Sequence, residues 1–132
     1  MSKQLKVGVK YDEGKPKYAL LPPYALLQVV KVYTFGAVKY AENNWRKGMR
    51  WSRTFSAIMR HCWSYWGGET YDPETGLHHM AHAAFGCLTL IEYGNEPRYE
   101  KFDDRPITKG YKNEGVPQRS KKRSSRKKSG HR

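Results

Sequence analysis

Apolar residues recur at the spacing of an α-helix in two segments of the chain, and a third segment is mainly apolar or helix-compatible. The first segment starts at Pro22-Pro23, which is a favourable helix start. Its predicted buried face is formed by Leu26, Leu27, Val30 and Tyr33. Gly36 could interrupt or end this helix, because glycine weakens helix interiors.

The second segment begins where Ser52 can act as the N-cap, since a serine side chain accepts hydrogen bonds from the free amides of the first turn. Its predicted buried face is formed by Phe55, Ile58, Met59, Cys62 and Trp66. Glu69 would lie on this apolar side if the helix continued past Gly67-Gly68. A third helix is predicted from about residue 78 to residue 93, before Gly94-Asn95-Glu96-Pro97 stops it.

The connecting segments are polar and rich in turn-forming residues. Residues 40–51 combine glycine and asparagine with aromatic side chains, which favours a structured loop. Asp72-Pro73-Glu74-Thr75-Gly76 has the composition of a turn. The pattern therefore predicts an all-α fold, a small helical bundle of about three main helices with long functional loops.

Positive charge is concentrated at the C-terminal end of the chain. The formal net charge is +13, and residues 109–132 contain ten Lys or Arg against Glu114 alone, which gives +9 and leaves +4 for residues 1–108. Few apolar residues remain in this tail, so it cannot build a core. We predict a helical domain over residues 1–108 and a disordered basic tail over residues 109–132, which could bind nucleic acid nonspecifically.

Cysteine spacing argues against a disulfide framework or a zinc finger, and hydropathy argues against a secreted or membrane-spanning protein. Cys62 and Cys87 lie in apolar segments without the spacing of a disulfide framework or a zinc finger. The N-terminal residues lack the apolar core of a signal peptide, and no segment approaches the ~20 apolar residues of a membrane span. We expect a soluble protein of a reducing compartment, with no membrane contact.

Acids and histidines are dense within fourteen residues, which include Glu69, Asp72, Glu74, His78, His79 and His82. Two pairs are three residues apart and could each project from one helical face: Glu69 with Asp72, and His79 with His82. Oxygen ligands suit Mg²⁺ or Mn²⁺, whereas imidazoles also allow Zn²⁺ or Fe²⁺. We therefore predict a metal site at these two pairs. The alternative is that the acids cap the turn and the histidines are hydrogen-bonded within the core.

Basic and aromatic residues stand close together before the second helix. Guanidinium and ammonium groups bind phosphates, and indole rings stack on nucleobases. His61 points away from Glu69 on an ideal helix, so we expect it outside the metal shell. The predicted substrate-binding residues are Lys15, Asn44, Trp45, Arg46, Lys47, Trp51, Arg60 and His61. The alternative is that the charged residues lie on the surface and the aromatic residues belong to the core, which would give the same sequence.

The order of several motifs resembles a known family. The motifs are Lys10-Tyr11-Asp12-Glu13-Gly14-Lys15-Pro16-Lys17-Tyr18, Leu21-Pro22-Pro23, Phe35-Gly36-Ala37-Val38-Lys39-Tyr40, Asn44-Trp45-Arg46-Lys47-Gly48, Arg60-His61, Gly68-Glu69, Asp72-Pro73-Glu74-Thr75-Gly76-Leu77, His79 and His82-Ala83. Over about residues 10–105 they resemble the N-terminal domain family of phage dATP/dGTP diphosphohydrolases.

The resemblance implies an α-helical enzyme related to MazG-like nucleotide pyrophosphatases, which use magnesium or manganese to convert a nucleoside triphosphate to the monophosphate and pyrophosphate. It also implies a purine deoxynucleoside triphosphate as substrate, a homo-oligomer, and a phage protein in the host cytoplasm. In the wider group, Glu-x-x-Glu and Glu-x-x-Asp pairs bind the metal. The matching positions are Glu69-x-x-Asp72 and His79-x-x-His82, and Gly86 stands where closer relatives often carry asparagine.

The predicted catalytic residues are Glu69, Asp72 and Glu74, with Glu74 or a histidine accepting the proton of the attacking water. One rival function is a nucleic-acid-binding phage accessory protein that acts through the basic tail and the Trp/Arg loop. A second rival is a non-catalytic helical module that assembles with itself or with a partner.

Overall fold

Three α-helices form the framework of the computed structural model, which describes residues 6–106. They are α1 (Pro23–Lys39), α2 (Trp51–Trp66) and α3 (His79–Asn95). Short 3₁₀ helices span Tyr18–Leu20, Asn44–Lys47 and Pro97–Phe102. Residues 6–106 contain no β-strand and only an isolated bridge between Tyr71 and His78, so the all-α prediction is confirmed. The predicted tail over residues 109–132 lies outside the described residues.

The central helix is α3, because both α1 and α2 pack against it. Gly86 of α3 lies directly against Ile58 of α2, and a methyl group at residue 86 would overlap the Ile58 side chain. The glycine therefore permits the close approach of these two antiparallel helices. One turn further along, the same approach brings His61 of α2 against His79 and His82 at the start of α3.

The aromatic core lies at the other end of α3. Trp51, Tyr93 and Tyr99 are buried there. The Tyr93 hydroxyl donates a hydrogen bond to the Trp45 carbonyl oxygen, and the Tyr99 hydroxyl donates to that of Arg46, each at 2.6 Å. Burial raises the pKa of Tyr93 to about 12, so this hydroxyl keeps its proton at neutral pH. The 3₁₀ helix Asn44–Lys47 is thereby fixed to the core.

Both predicted buried faces differ from the structure. On α1, Leu26, Leu27 and Val30 are exposed, whereas Val32 is buried. On α2, most of the large apolar side chains that were assigned to the core face solvent, namely Phe55, Met59 and Trp66. The buried side of α2 carries Ile58, as predicted, together with Trp51 and Thr54. Thr54 and Ile58 pack against Gly86, whereas Trp51 lies in the aromatic core with Tyr93 and Tyr99.

The helix ends also correct several predictions. Gly36 does not end α1, which continues to Lys39. The N-cap position of α2 is Arg50 rather than Ser52. Ser52 lies in the first turn, where its amide donates to Asp104 Oδ1 at 2.9 Å and its hydroxyl contacts Asp104 Oδ2. These hydrogen bonds lower the pKa of Asp104 and join the end of the described chain to α2.

Candidate metal centre

The turn between α2 and α3 positions a single carboxylate. The Asp72 amide donates to the Leu77 carbonyl oxygen at 2.8 Å, and the Gly76 amide donates to the Asp72 carbonyl oxygen at 2.7 Å. Gly76 has a φ of +73°, which favours glycine. Asp72 Oδ1 accepts a hydrogen bond from the Glu74 amide at 2.7 Å. Asp72 Oδ2 lies 3.7 Å from His61 Nδ1.

The first turn of α3 positions His79. His78 is the N-cap residue, and its Nδ1 accepts a hydrogen bond from the Met80 amide at 3.0 Å. The His79 amide donates to the Thr70 carbonyl oxygen at 3.0 Å. Because the backbone is held on both sides, the His79 side chain points into the interface with α2, where the residue is only 3% exposed.

His61, Asp72 and His79 form a candidate metal-binding group, called the metal group below, with ligand atoms that all lie within 4.8 Å of one another. A hydrogen bond of 2.9 Å joins His61 Nδ1 and His79 Nδ1. Two imidazoles and a carboxylate match the ligand types of zinc, iron and manganese sites. The donor set therefore fits a divalent ion, with His61 in place of one of the predicted carboxylate ligands.

Two further contacts orient these histidines. Glu69 Oε1 lies 2.6 Å from His79 Nε2, so Glu69 contacts the ring nitrogen that faces away from His61. Thr75 Oγ1 lies 2.7 Å from His82 Nε2, and the His82 ring stacks on the His61 ring with centroids 4.5 Å apart. Carboxylates and hydroxyls in such positions fix the tautomer and direction of ligand histidines.

The predicted burial of Glu69 is wrong, because its side chain is 51% exposed. Helix α2 ends at Trp66, so Glu69 lies in the connection to α3 and not on a helical face. Glu69 and Asp72 consequently do not form a helical i, i+3 pair. Of the predicted ligands, Asp72 and His79 belong to the metal group, while Glu69 and His82 contact its histidines.

The protonation state of His61 and of its neighbour His82 favours metal binding. Burial, followed by the neighbouring His82, lowers the pKa of His61. Burial also lowers the pKa of His82. Both rings are therefore neutral at pH 7, and the neutral imidazole is the form that binds a metal.

Cationic side chains approach the centre from two directions. Lys39 Nζ, in the last turn of α1, lies 3.0 Å from Glu74 Oε1. Arg60 is exposed on α2 beside His61 and contributes to lowering the pKa of His61. Lys39 was not among the predicted site residues, since only the fold brings Lys39 and Glu74, 35 positions apart, together.

The predicted Trp/Arg loop lies far from the metal group within one chain. The carbonyl oxygens of Trp45 and Arg46 accept hydrogen bonds from Tyr93, near the end of α3, and from Tyr99 beyond it. His79 is the first residue of α3. From residue 79 to residue 93 the helix rises about 20 Å at about 1.5 Å per residue. Asn44 and Lys47 belong to the same 3₁₀ helix as Trp45 and Arg46. Lys15 is exposed in the segment before Tyr18–Leu20.

Trp51 is buried and Trp45 is partly buried, so both indoles are used in packing. Trp51 is 8% exposed, and the Arg105 guanidinium lies 4.8 Å from its ring centroid. The Trp45 ring packs against Tyr33 and Tyr93. Both indoles pack in the aromatic core, which was the alternative interpretation of these residues.

The geometry defines a helical domain with a two-histidine, one-carboxylate group between two antiparallel helices. The family described as dATP/dGTP diphosphohydrolase, N-terminal, matches residues 6–105, and the chain belongs to that family. It is 38% identical over 84 residues to a Salmonella phage PMBT28 protein named dATP/dGTP diphosphohydrolase. The alignment covers 64% of this chain and 29% of that protein. No solved structure matches significantly.

The chain thus spans less than a third of the length of this phage relative. None of the helices between residues 6 and 106 is long and apolar enough to pass through a lipid bilayer.

Proposed function

We propose that this domain holds the divalent metal of a diphosphohydrolase that converts a purine deoxynucleoside triphosphate, dATP or dGTP, to the monophosphate and pyrophosphate. The observation that carries the proposal is the metal group of His61, Asp72 and His79 in a chain of this family. The substrate class follows the name of the phage relative. Mg²⁺ or Mn²⁺ follows the resemblance to MazG-like enzymes, and the two imidazoles also allow Zn²⁺ or Fe²⁺.

A divalent ion in this group would supply charge neutralisation for the phosphate oxygens and lower the pKa of a bound water. The protein's own part is to hold the three ligand atoms in place. The Glu74 amide fixes Asp72, and Glu69 holds His79 through its Nε2 atom. Thr75 and the stacked His82 restrain the environment of His61.

Three side chains are suited to accept the proton of the attacking water or to bind the charge of the phosphates. Glu74 has an exposed carboxylate that pairs with Lys39, and we propose that it accepts the proton of the attacking water. Lys39 pairs with Glu74, and the charge of Arg60 acts on the pKa of His61, so we propose that these two basic side chains hold phosphate oxygens. Both are exposed, so a triphosphate can reach them.

The direct test is product analysis after incubation of the purified chain with dGTP, dATP and the ribonucleotides in the presence of Mn²⁺ or Mg²⁺. Monophosphate and pyrophosphate should appear in equal amounts from dGTP or dATP. Asp72→Asn should abolish the reaction, whereas Asp12→Asn, in the exposed N-terminal segment, should not change it. The absence of monophosphate from every nucleotide would reject the proposed activity.

Three partner and location predictions belong to the same proposal. We propose that the chain self-associates, acts in the cytoplasm of a phage-infected host, and uses the ten basic residues of positions 109–132 to contact nucleic acid. The last of these is tested by deleting residues 109–132. Nucleic-acid binding that persists after the deletion, or that does not weaken with added salt, would reject the role of the tail.

A further inference from the structure

An aromatic group lies at the open end of the interface between α2 and α3. It consists of Tyr65, Tyr71 and His78. The His78 ring centroid lies 5.4 Å from that of Tyr65 and 5.7 Å from that of Tyr71. Tyr65 is 38% exposed and Tyr71 is 57% exposed, so both rings present surface to solvent. None of the three belongs to the metal group.

The aromatic group stands next to the metal group along both helices. Tyr65 follows His61 by four residues on α2, so the two side chains share a helix face and are separated by about one turn, or about 5–6 Å. His78 directly precedes His79. The contact between Tyr65 and His78 confirms that this face of α2 is directed toward α3.

This separation matches the layout of a nucleoside triphosphate, in which a single deoxyribose lies between the base and the α-phosphate. Exposed aromatic rings stack on nucleobases. His78 adds a polar contact. Because its Nδ1 accepts the Met80 amide proton, the neutral ring carries its own proton on Nε2 and can donate it to an acceptor on a base.

We propose that Tyr65, Tyr71 and His78 form the base-binding subsite, in which the purine stacks on the tyrosine rings while the metal group holds the phosphates. This inference rests on the proposed function. The purine follows from the proposed substrate, and the two exposed tyrosine rings beside His78 are the surfaces on which it would stack. In the opposing interpretation the rings only close the end of the helix interface.

The test separates base binding from phosphate binding in the full chain. Steady-state kinetics with dGTP give KM and kcat, and calorimetry gives the affinities for dGMP and for pyrophosphate with Mn²⁺. Tyr65→Ala and Tyr71→Ala should each raise the KM for dGTP and the Kd for dGMP about tenfold. The kcat and the pyrophosphate affinity should stay within about twofold, and Tyr65→Phe should restore wild-type values because stacking needs only the ring.

Tyr24→Ala is the matched control, because Tyr24 is 72% exposed at the start of α1, about 20 Å from Lys39 at the end that approaches the centre. It should change neither KM nor the dGMP affinity. Unchanged values in both alanine variants at positions 65 and 71 would overturn the subsite. An equal loss of pyrophosphate affinity would also overturn it, since it would show a structural role.

The outcomes for the subsite and for the activity are distinct. A chain that hydrolyses dGTP with a KM independent of Tyr65 and Tyr71 keeps the activity and loses the subsite. A chain that binds dGMP through these tyrosines without hydrolysing dGTP keeps the subsite and loses the activity. A wild-type chain that binds no dGMP overturns the subsite.

Discussion

His79 is the residue on which the centre depends most. It is almost fully buried, and both of its ring nitrogens have partners: Nδ1 contacts His61 and Nε2 contacts Glu69. A buried imidazole with two polar contacts has little freedom to rotate, so the nitrogen that faces His61 is fixed. This explains why a carboxylate that is half exposed can still matter for the site: it acts through the histidine.

Loss of His61 should weaken metal binding most clearly. His61→Ala removes one of three ligand atoms, and we expect the Mn²⁺ affinity to fall at least about 100-fold, because loss of an outer partner alone costs about 10–100-fold. Calorimetric titration measures this. The control is His78→Asn, which keeps an N-cap side chain and should retain the affinity. Equal affinities for His61→Ala and the wild type would exclude His61 as a ligand.

Glu69→Gln distinguishes a metal ligand from an orienting partner. If Glu69 only holds His79 Nε2, the variant should lose about 10–100-fold in Mn²⁺ affinity and retain measurable binding. Helical circular dichroism should be unchanged, since the side chain is exposed and outside α2. A loss as large as that of Asp72→Asn would make Glu69 a direct ligand, as the motif spacing first indicated.

The site residues could be identified from sequence only in part. Their density between residues 69 and 82 predicted a metal site in this region, and two of the predicted ligands, Asp72 and His79, lie in the metal group. Spacing paired Glu69 with Asp72 on one helical face. That pairing requires a helix over both residues, but α2 ends at Trp66. His61 was predicted to bind substrate and to lie outside the metal shell, since its place beside His79 depends on how closely α2 and α3 pack.

At the level of elements, the α2–α3 interface sets the position of the centre. Gly86 is the point of closest approach, opposite Ile58 and Thr54. Without a side chain at residue 86, the two helices come close enough for His61 and His79 to share a hydrogen bond. Substitution at this interface should therefore affect the metal group at one end as well as the fold.

Gly86→Ala should destabilise the protein by about 1–3 kcal/mol, because the added methyl group has no space beside Ile58. The matched control is Gly94→Ala on the same helix, where a Cβ atom would meet nothing within 4 Å. That variant should gain about 0.5 kcal/mol from helix propensity. Urea unfolding followed by circular dichroism measures both values. A stabilised Gly86→Ala variant would contradict the close approach.

The existence of all three helices was predictable, because apolar residues recur at helical spacing in the first two and the third segment is mainly apolar or helix-compatible. Which face is buried was not predictable, since periodicity cannot distinguish a core face from an interaction face. On α2 the larger apolar residues, such as Phe55 and Trp66, lie on the exposed side. The buried side is chosen by fit to α3, which involves Thr54 and His61.

At the scale of the molecule, the outer side of α2 exposes an unusually large apolar surface for a domain of this size. The outer stripe consists of Phe55, Met59, Trp63 and Trp66, of which Trp63 is 67% and Trp66 is 81% exposed. Contiguous apolar patches of this kind mark interaction sites. The stripe supports the prediction that the chain self-associates, with a second copy covering α2.

Light scattering tests this prediction. The wild-type chain should have a mass above that of the 15.4 kDa monomer, and Trp63→Glu should shift it toward the monomer because a buried unpaired carboxylate is costly. Arg53→Glu, an exposed position on α2 outside the outer stripe, is the control. A monomeric wild-type chain would refute self-association and leave the metal group unaffected.

The location of the metal ion tests the central claim most directly. A crystal structure of the full chain grown with Mn²⁺, with the ion located by its anomalous scattering, measures it. The account predicts an ion bonded to His61 Nδ1, Asp72 Oδ2 and His79 Nδ1, with Glu69 on the far side of the His79 ring. An ion held by Glu69 and Glu74, or crystals that contain no bound ion at saturating Mn²⁺, would contradict it.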